Sequence, residues 1–272
     1  MSNSFEFTGS INLNDLKTKI EKEKQQADRG KYKNIFWKPS QPETTVRILP
    51  YKHGKSPFNE LYFHYGIGPD KQTILCPKHT FGKADCPICE HVSNLYAQNT
   101  EESKLIAKGL RAKIRYYVPI INKSEIEKGV EARPYFWGMA PSVYESILKY
   151  ILEEEDYGDI ANPKEGNDIK VEYTEKSASL PFGKINILVR PKKTPILKDM
   201  DLAMKIYNDV PNIYDLFKES TPDEIQAALD SHLGTESPTN SDILKDDTVV
   251  SSEIGNEKMS LDARIAEAMK EE

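Results

Sequence analysis

Short stretches in which apolar and polar residues alternate recur through the middle of the chain and predict a fold built mainly from β-strands. Turn residues such as Pro50, Gly129 and Gly166 separate these stretches. The predicted strands cover residues 44–49, 61–65, 73–75, 112–121, 134–137, 168–173 and 184–190.

One segment has the periodicity of a helix instead. Pro141 suits a first helical turn, and from Val143 to Leu152 apolar residues recur three and four positions apart. The pattern predicts a helix over 141–152, which ends at a run of acidic residues that are unfavourable at a helix C-terminus. Many short strands with one or two helices favour a small barrel or sandwich that carries insertions.

The composition divides the chain into three regions. Residues 1–33 are polar and predict a charged helix with one thin apolar stripe. Residues 34–214 have the mixed composition of a folded domain. Residues 215–272 predict a helical linker followed by an acidic tail, and a short apolar stripe at 261–269 indicates either a peptide that docks on a partner or a nascent helix without consequence.

The overall composition restricts the class of protein. With 272 residues, 38% of them apolar, the chain can bury a core, which excludes wholesale disorder. The sequence has no run of about 18 apolar residues and no secretory signal, so we expect no membrane-spanning segment. Its three cysteines are an odd number and exclude a disulfide framework, which predicts a reduced, cytoplasmic protein.

The formal net charge of −6 hides an uneven distribution. Residues 235–272 contain ten acidic and four basic residues, whereas residues 31–123 contain fifteen basic and seven acidic ones. This asymmetry is compatible with a nucleic-acid partner in spite of the acidic mean.

A cluster of cysteines indicates a metal site. All three cysteines fall within fourteen residues: Cys76, Cys86 and Cys89. Thiolates in a Cys-Pro-x-Cys turn suit zinc, and a tetrahedral site needs a fourth ligand. His79 would complete a wholly local site, whereas His64 would tie the preceding strand to the loop. Because sites with three cysteines and one histidine are usually closed, the pattern predicts one structural Zn²⁺ ion and no catalytic metal.

Basic and aromatic residues alternate on the strand that follows. One face of this strand would carry Arg111, Lys113, Arg115 and Tyr117, and the other Ala112, Ile114, Tyr116 and Val118. Cations can follow the phosphates of a single nucleic-acid strand, and an aromatic ring can stack on an unpaired base. No clustered carboxylates, Ser/His/Asp arrangement or phosphate loop are present, so we expect no enzymatic activity.

Four segments, taken in order, resemble one protein family. The segments are Thr44 to Pro50, the set His64, Cys76, Cys86 and Cys89, the basic run from Lys108 to Tyr117, and Tyr135-Phe136-Trp137-Gly138. In these residues the chain is similar to the helix-destabilising single-stranded DNA-binding proteins of large tailed bacteriophages. The resemblance covers residues 34–190, and the acidic C-terminal tail of this chain is similar in its charge to that of the family.

The resemblance implies an oligonucleotide/oligosaccharide-binding (OB) barrel with an inserted zinc subdomain over about residues 62–95. It favours His64 as the fourth zinc ligand, with His79 as the alternate. It places these residues in a DNA cleft: Arg47, Tyr96, Arg111, Lys113, Tyr116 and Tyr135. We add Lys108 and Arg115 from their charge, and Tyr117 from the alternation of the strand, which sets Tyr116 and Tyr117 on opposite faces.

These observations predict sequence-tolerant, cooperative binding of single-stranded DNA in phage replication, recombination and repair. The resemblance implies head-to-tail self-association through residues 1–33, and the acidic tail would bind replication and recombination proteins. The alternative hypothesis is a zinc-containing adaptor or transcription cofactor that binds polymerase or clamp proteins and needs no DNA cleft.

Overall fold

The computed structural model describes residues 34–83, 85–153, 157–177 and 183–235. The segment predicted to self-associate, 1–33, and the acidic tail, 236–272, lie outside the described residues. No described helix has both the length and the apolar character needed to cross a membrane.

Eight strands and seven α-helices make up the described part of the chain. The strands are β1 (Phe36–Trp37), β2 (Glu43–Ile48), β3 (Asn59–Ile67), β4 (Gln72–Leu75), β5 (Lys113–Asn122), β6 (Tyr135–Met139), β7 (Gly166–Thr174) and β8 (Lys184–Thr194). The helices are α1 (Pro77–Phe81), α2 (Pro87–Gln98), α3 (Glu101–Leu110), α4 (Lys123–Glu127), α5 (Pro141–Leu152), α6 (Met200–Asp209) and α7 (Pro222–Thr235), with a 3₁₀ turn at Ile213–Leu216. All seven predicted strands and the predicted helix over 141–152 are confirmed, with ends that shift by a few residues. Strand β1, which is only two residues long, was not among the predicted strands.

The sheet is organised around β5. Its first half pairs with β3, where Lys113 lies opposite Phe63, and its second half pairs with β2, where Ile121 lies opposite Arg47. The other edge of β5 pairs with β6. Because β5 changes partner along one edge, the sheet divides into a β3–β4 branch and a β2–β7–β8 branch.

The main path of the sheet runs in the order β1-β6-β5-β2-β7-β8. All strand pairs are antiparallel except β1 with β6. The predicted mixed architecture is therefore confirmed as a large, mostly antiparallel sheet with seven α-helices among the described residues, and these helices contain more residues than the strands. Backbone pairing among the described residues does not close the path into a barrel, but Trp37 of β1 and Ile185 of β8 belong to the same hydrophobic cluster. Both ends of the path therefore contribute to one hydrophobic core.

Three hydrophobic clusters hold the elements together. The first packs α5 against the main path of the sheet, with Trp137 completely buried. The second places α6 and the 3₁₀ turn against β3 and β6, around Phe136. The third joins β3, β4, α2 and α3 to α7 through Ile225 and Leu229. Residues 222–235, which the sequence assigned to a linker, therefore pack on the folded core.

A buried ion pair joins β2 to β7 and β8. The side chain of Arg47 is completely buried, and its Nη1 lies 3.5 Å from Oδ1 of Asp168. Its Nη2 donates to the carbonyl and the hydroxyl oxygen of Thr194. Lys123 Nζ lies 4.0 Å from the same Asp168 oxygen. Burial lowers the pKa of the Arg47 guanidinium, and the Asp168 carboxylate partly opposes that shift.

We expect Asp168→Asn to destabilise the fold by about 3–5 kcal/mol, because it leaves the buried guanidinium without its carboxylate. The free energy of unfolding, measured by chemical denaturation with circular dichroism, tests this. Glu43→Gln is the matched control, since Glu43 Oε2 forms an exposed ion pair, 2.9 Å long, with Lys170 Nζ. Its loss should cost less than about 1 kcal/mol. Equal costs for the two variants would contradict the structural role of the Arg47–Asp168 pair.

Candidate metal centre and nucleic-acid groove

Four side chains from consecutive elements converge on one point. His64 projects from β3, Cys76 directly follows β4, and Cys86 and Cys89 lie at the start of α2. Cys76 and Cys86 are each the N-cap residue of a helix that begins with proline, α1 and α2. A helix N-terminus favours negative charge, so this placement supports both thiolates. The four ligand atoms lie within 4.8 Å of one another.

The spacing of these atoms fits a tetrahedral ion. Sγ of Cys76 lies 3.8 Å from that of Cys86 and 3.5 Å from that of Cys89. Nε2 of His64 lies 3.5 Å from Cys86 Sγ and 3.6 Å from Cys89 Sγ. A tetrahedral zinc ion with ordinary bond lengths of about 2.3 Å to sulfur and about 2.0 Å to nitrogen separates its ligand atoms by about 3.5–3.8 Å. The cluster could therefore hold one zinc ion.

The imidazole of His64 is fixed in the orientation that a ligand needs. The ring is completely buried, and its Nδ1–H donates to the carbonyl oxygen of Leu110, 2.8 Å away. A carbonyl can only accept, so the proton sits on Nδ1 and Nε2 faces the three sulfurs. A hydrogen bond of this kind orients a metal-binding histidine.

The charges of the cluster also favour a cation at its centre. Burial opposes a charged imidazole, yet the contacts with Cys76, Cys86 and the Leu110 carbonyl raise the pKa of His64 to about 9. Hydrogen bonding with Cys76 lowers the pKa of the Cys86 thiol, whereas contact with the same residue raises the pKa of Cys89. The protein alone therefore disfavours the thiolate of Cys89, and a divalent cation would supply the missing positive charge.

The other two nearby histidines lie outside the cluster. The backbone N–H of His79 donates to Cys76 Sγ at 3.5 Å, while its ring packs beside Tyr62 with centroids 5.4 Å apart. His91 lies on α2 and is not among the four converging residues. Of the two alternatives, the structure thus brings His64 and not His79 to the cysteines.

A large groove opens beside the metal cluster. It has a volume of about 1150 Å³ and lies between the β3–β4 branch, β1 with β6, the ends of β7 and β8, and the chain around α7. Eight aromatic residues contribute to its lining: Phe36, Trp37, Phe63, Tyr65, Tyr117, Trp137, Tyr173 and Phe217. Its charged lining residues are Lys38, Arg115, Lys176, Lys218 and Glu224, which gives an excess of three positive charges. Such a groove suits a negatively charged ligand with flat, apolar parts.

Tyr117 and Tyr116 occupy different environments, as the alternation of β5 predicts. Tyr117 lines the groove and lies opposite Gly138 of β6, where a methyl group would come within 2.8 Å of its ring. Tyr116 lies outside the groove lining and stacks on Tyr144 of α5, with centroids 3.8 Å apart and an angle of 17° between the rings. Burial and the nearby Glu60 raise the pKa of Tyr116.

Arg115 is the second predicted DNA-binding residue that lines the groove. Its Nε donates to the hydroxyl of Tyr65 at 3.3 Å, which holds it beside another groove residue. The remaining predicted residues lie elsewhere: Arg47, Tyr96, Lys108, Arg111, Lys113, Tyr116 and Tyr135.

Burial explains why two of these residues, Arg47 and Tyr135, do not line the groove. Arg47 is buried in its ion pair with Asp168, which leaves its guanidinium no access to a phosphate. Tyr135 is also buried, and its hydroxyl donates to Glu125 Oε2 at 2.6 Å while accepting from Arg133 Nε at 2.9 Å. Lys108 and Arg111 are exposed, but at α3 and its C-cap, outside the groove lining.

Several groove residues were absent from the sequence prediction. Tyr65 could have been found by extending the alternation of β3, since Leu61, Phe63 and Tyr65 share one face. Phe36 lies on a strand too short to show a pattern, and Phe217 and Tyr173 reach the groove only through the tertiary fold.

A cysteine–histidine cluster that could hold zinc and a basic groove lined with aromatic residues are compatible with a nucleic-acid-binding protein. A family model described as gp32 DNA binding protein like matches residues 41–231, well over half of the chain. The chain belongs to this family of DNA-binding proteins, which confirms the resemblance seen in its sequence. No curated protein matches the chain.

We expect one zinc ion per chain, and we expect His64→Ala to abolish stoichiometric binding while His79→Ala retains it, because only His64 faces the sulfurs. Metal analysis of the purified proteins tests the stoichiometry, and thermal unfolding with and without a chelator tests the contribution to stability. Chelation should lower the unfolding temperature of the wild type and of His79→Ala. Loss of zinc from His79→Ala alone would reverse the assignment of the fourth ligand.

Proposed function

We propose that this protein binds single-stranded DNA in the groove, without sequence preference and without catalysis. The observation that carries the proposal is that five aromatic residues with exposed or partly exposed side chains share one groove with four cations. These residues are Phe36, Tyr65, Tyr117, Tyr173 and Phe217, whereas Trp37, Phe63 and Trp137 lie buried behind the lining. Aromatic rings stack on bases of any sequence, and cations attract the phosphates. The family membership supports DNA as the ligand.

The selectivity for single strands would come from stacking. In a duplex the base faces are already stacked on one another, so rings such as Tyr117 and Phe36 have nothing to cover. A protein that binds only the single strand shifts the melting equilibrium of DNA toward single strands by mass action. The protein would then destabilise DNA helices without any energy source.

The metal centre has a structural role in this proposal. A closed set of three thiolates and one imidazole, His64, offers no open position for a substrate. A bound zinc ion would hold β3, the end of β4 and the first turn of α2 in one rigid unit. The same proposal treats the sheet as an OB-type core, which is supported by the shared hydrophobic cluster of Trp37 on β1 and Ile185 on β8.

The regions outside the described residues enter the proposal through their sequence alone. Residues 1–33 would link neighbouring molecules head to tail along DNA, which would make binding cooperative. The tail, 236–272, would bind replication and recombination proteins in phage DNA metabolism. It would also compete with DNA for the groove, because its net charge is negative and that of the groove lining is positive.

A titration of wild type, Tyr117→Ala and Tyr116→Ala with oligo(dT) and with a duplex of equal length tests the proposed function. We expect the wild type to bind oligo(dT), to prefer it to the duplex and to bind it more weakly as salt rises. Tyr117→Ala should weaken binding of the single strand by about 1–3 kcal/mol, the usual value of one stacked base.

Tyr116→Ala is the matched control for that experiment, because its ring stacks on Tyr144 rather than lining the groove. We expect it to lower the free energy of unfolding while leaving the affinity of the folded protein for oligo(dT) near that of wild type. Equal binding of duplex and single strand by the wild type would overturn the proposed function and favour an adaptor role.

Deleting residues 236–272 should raise the affinity for DNA at low salt, because the deletion removes a flexible polyanion that competes for the same cations. The difference should shrink as salt rises, since screening weakens the competitor. Salt-dependent titration of the full-length and shortened proteins measures this. A deletion without effect at low salt would leave the tail with no part in controlling the groove.

A further inference from the structure

A second tyrosine of the groove lies close to a glycine, as Tyr117 lies close to Gly138. Tyr173 lies near the end of β7, and Gly183 directly precedes β8. A methyl group at Gly183 would lie 2.8 Å from Cε2 of Tyr173, 3.0 Å from its hydroxyl oxygen and 3.1 Å from the backbone carbonyl oxygen of Thr174, so the ring makes the two shortest contacts. At Gly138 the corresponding distance to the ring of Tyr117 is also 2.8 Å. Distances this short leave no room for a side chain on either residue.

The backbone does not require glycine at position 138. Positive φ angles, which favour glycine, occur at other glycines of the described chain, such as Gly66 and Gly129, but not at Gly138. What the two positions share is the close approach of a tyrosine ring. Each glycine therefore makes space for an aromatic ring to pack against the backbone of the neighbouring strand.

Both tyrosines line the groove, but they come from different parts of the sheet. Tyr117 belongs to β5, in the middle of the path, whereas Tyr173 belongs to the β7–β8 hairpin at one end of it. Tyr173 is partly exposed, and the exposed cation Lys176, three residues later, lines the groove with it. A ring held by the backbone beside a cation is the arrangement that a base and its phosphate require.

We propose that Tyr173, positioned by Gly183, is a second base-stacking ring of the groove, and that one DNA strand contacts both Tyr117 and Tyr173. This inference rests on the proposed binding of single-stranded DNA and names a further binding residue for it. Tyr173 touches the base, whereas Gly183 acts only by positioning the ring.

The experiment compares the affinities of wild type, Tyr173→Ala, Tyr173→Phe and Gly183→Ala for oligo(dT) of increasing length. With long oligonucleotides, Tyr173→Ala should bind about 5- to 150-fold more weakly, the equivalent of about 1–3 kcal/mol for one stacked base. Tyr173→Phe should bind as wild type does, because stacking needs the ring and not the hydroxyl. The loss in Tyr173→Ala should vanish with oligonucleotides too short to reach from Tyr117 to Tyr173.

Gly183→Ala separates positioning from a merely structural effect. The added methyl group must push the ring aside, so we expect weaker binding of long oligonucleotides with little change in the unfolding temperature. Added to Tyr173→Ala, the glycine substitution should have no further effect on affinity, because its target is gone. Tyr207→Ala, on α6 and outside the groove lining, is the control and should bind as wild type does.

The outcomes distinguish this inference from the proposed function beneath it. If wild type and Tyr173→Ala bind long oligo(dT) equally well, Tyr173 is not a stacking residue, although the groove still binds DNA. A further loss from Gly183→Ala in the Tyr173→Ala background would show that the glycine acts through the fold and would overturn the positioning role. If the wild type itself fails to bind oligo(dT), the proposed function is wrong, and the inference about Tyr173 is wrong with it.

Discussion

The mutual contact of His64 with three cysteine sulfurs determines much of the groove beside it. The neighbours of His64 on β3, Phe63 and Tyr65, line the groove, and so do all four residues of β4, which lead directly into Cys76. Helix α7 packs on the same hydrophobic cluster and supplies another part of the lining. A cation bound by the four ligands would therefore also restrain the β3–β4 part of the groove lining. Under the proposed function, the metal would then influence DNA affinity without contacting DNA.

The buried guanidinium of Arg47 stabilises the other branch of the sheet, β2–β7–β8. Arg47 bonds to Asp168 and Thr194 and so ties the central part of the sheet to the β7–β8 hairpin. That hairpin carries Tyr173 and Lys176 into the groove. An ion pair with one partner completely buried is costly to form and more costly to break, so it favours a single arrangement of the hairpin. Both walls of the groove are thus set by polar contacts outside it.

The sequence was most informative where chemistry or periodicity is local. Three clustered cysteines predict a metal site because few other arrangements explain such spacing, and strict alternation along β5 correctly separates Tyr117 from Tyr116. Spacing alone left His64 and His79 open, since a local site and a strand-to-loop site are equally reasonable; the family resemblance favoured His64, and the fold brings that residue to the cysteines. Only the hydrogen bond from His64 to Leu110, 46 positions away, orients the imidazole.

The sequence is least informative where burial decides the environment of a residue. The local sequence around Arg47 does not show whether its side chain faces solvent or pairs with Asp168, which lies 121 positions later in the chain. Phe36, Tyr173 and Phe217 carry no local signal, because they become neighbours only after distant elements pack. Phe217 makes this plain: its ring lies 5.4 Å from that of Phe36 and 5.3 Å from that of Tyr117.

Charge and aromatic surface have separate tasks in this groove. An excess of three positive charges attracts any nucleic acid and is weakened by salt in the same way for each. The rings, in contrast, would gain contact only from bases that are already unpaired, so under the proposed function they would supply the preference for a single strand. Gly138 and Gly183 would serve this stacking, because each leaves room for a tyrosine ring close to the backbone. On this proposal, selectivity would come from the packing of the rings and the attraction to DNA from charge.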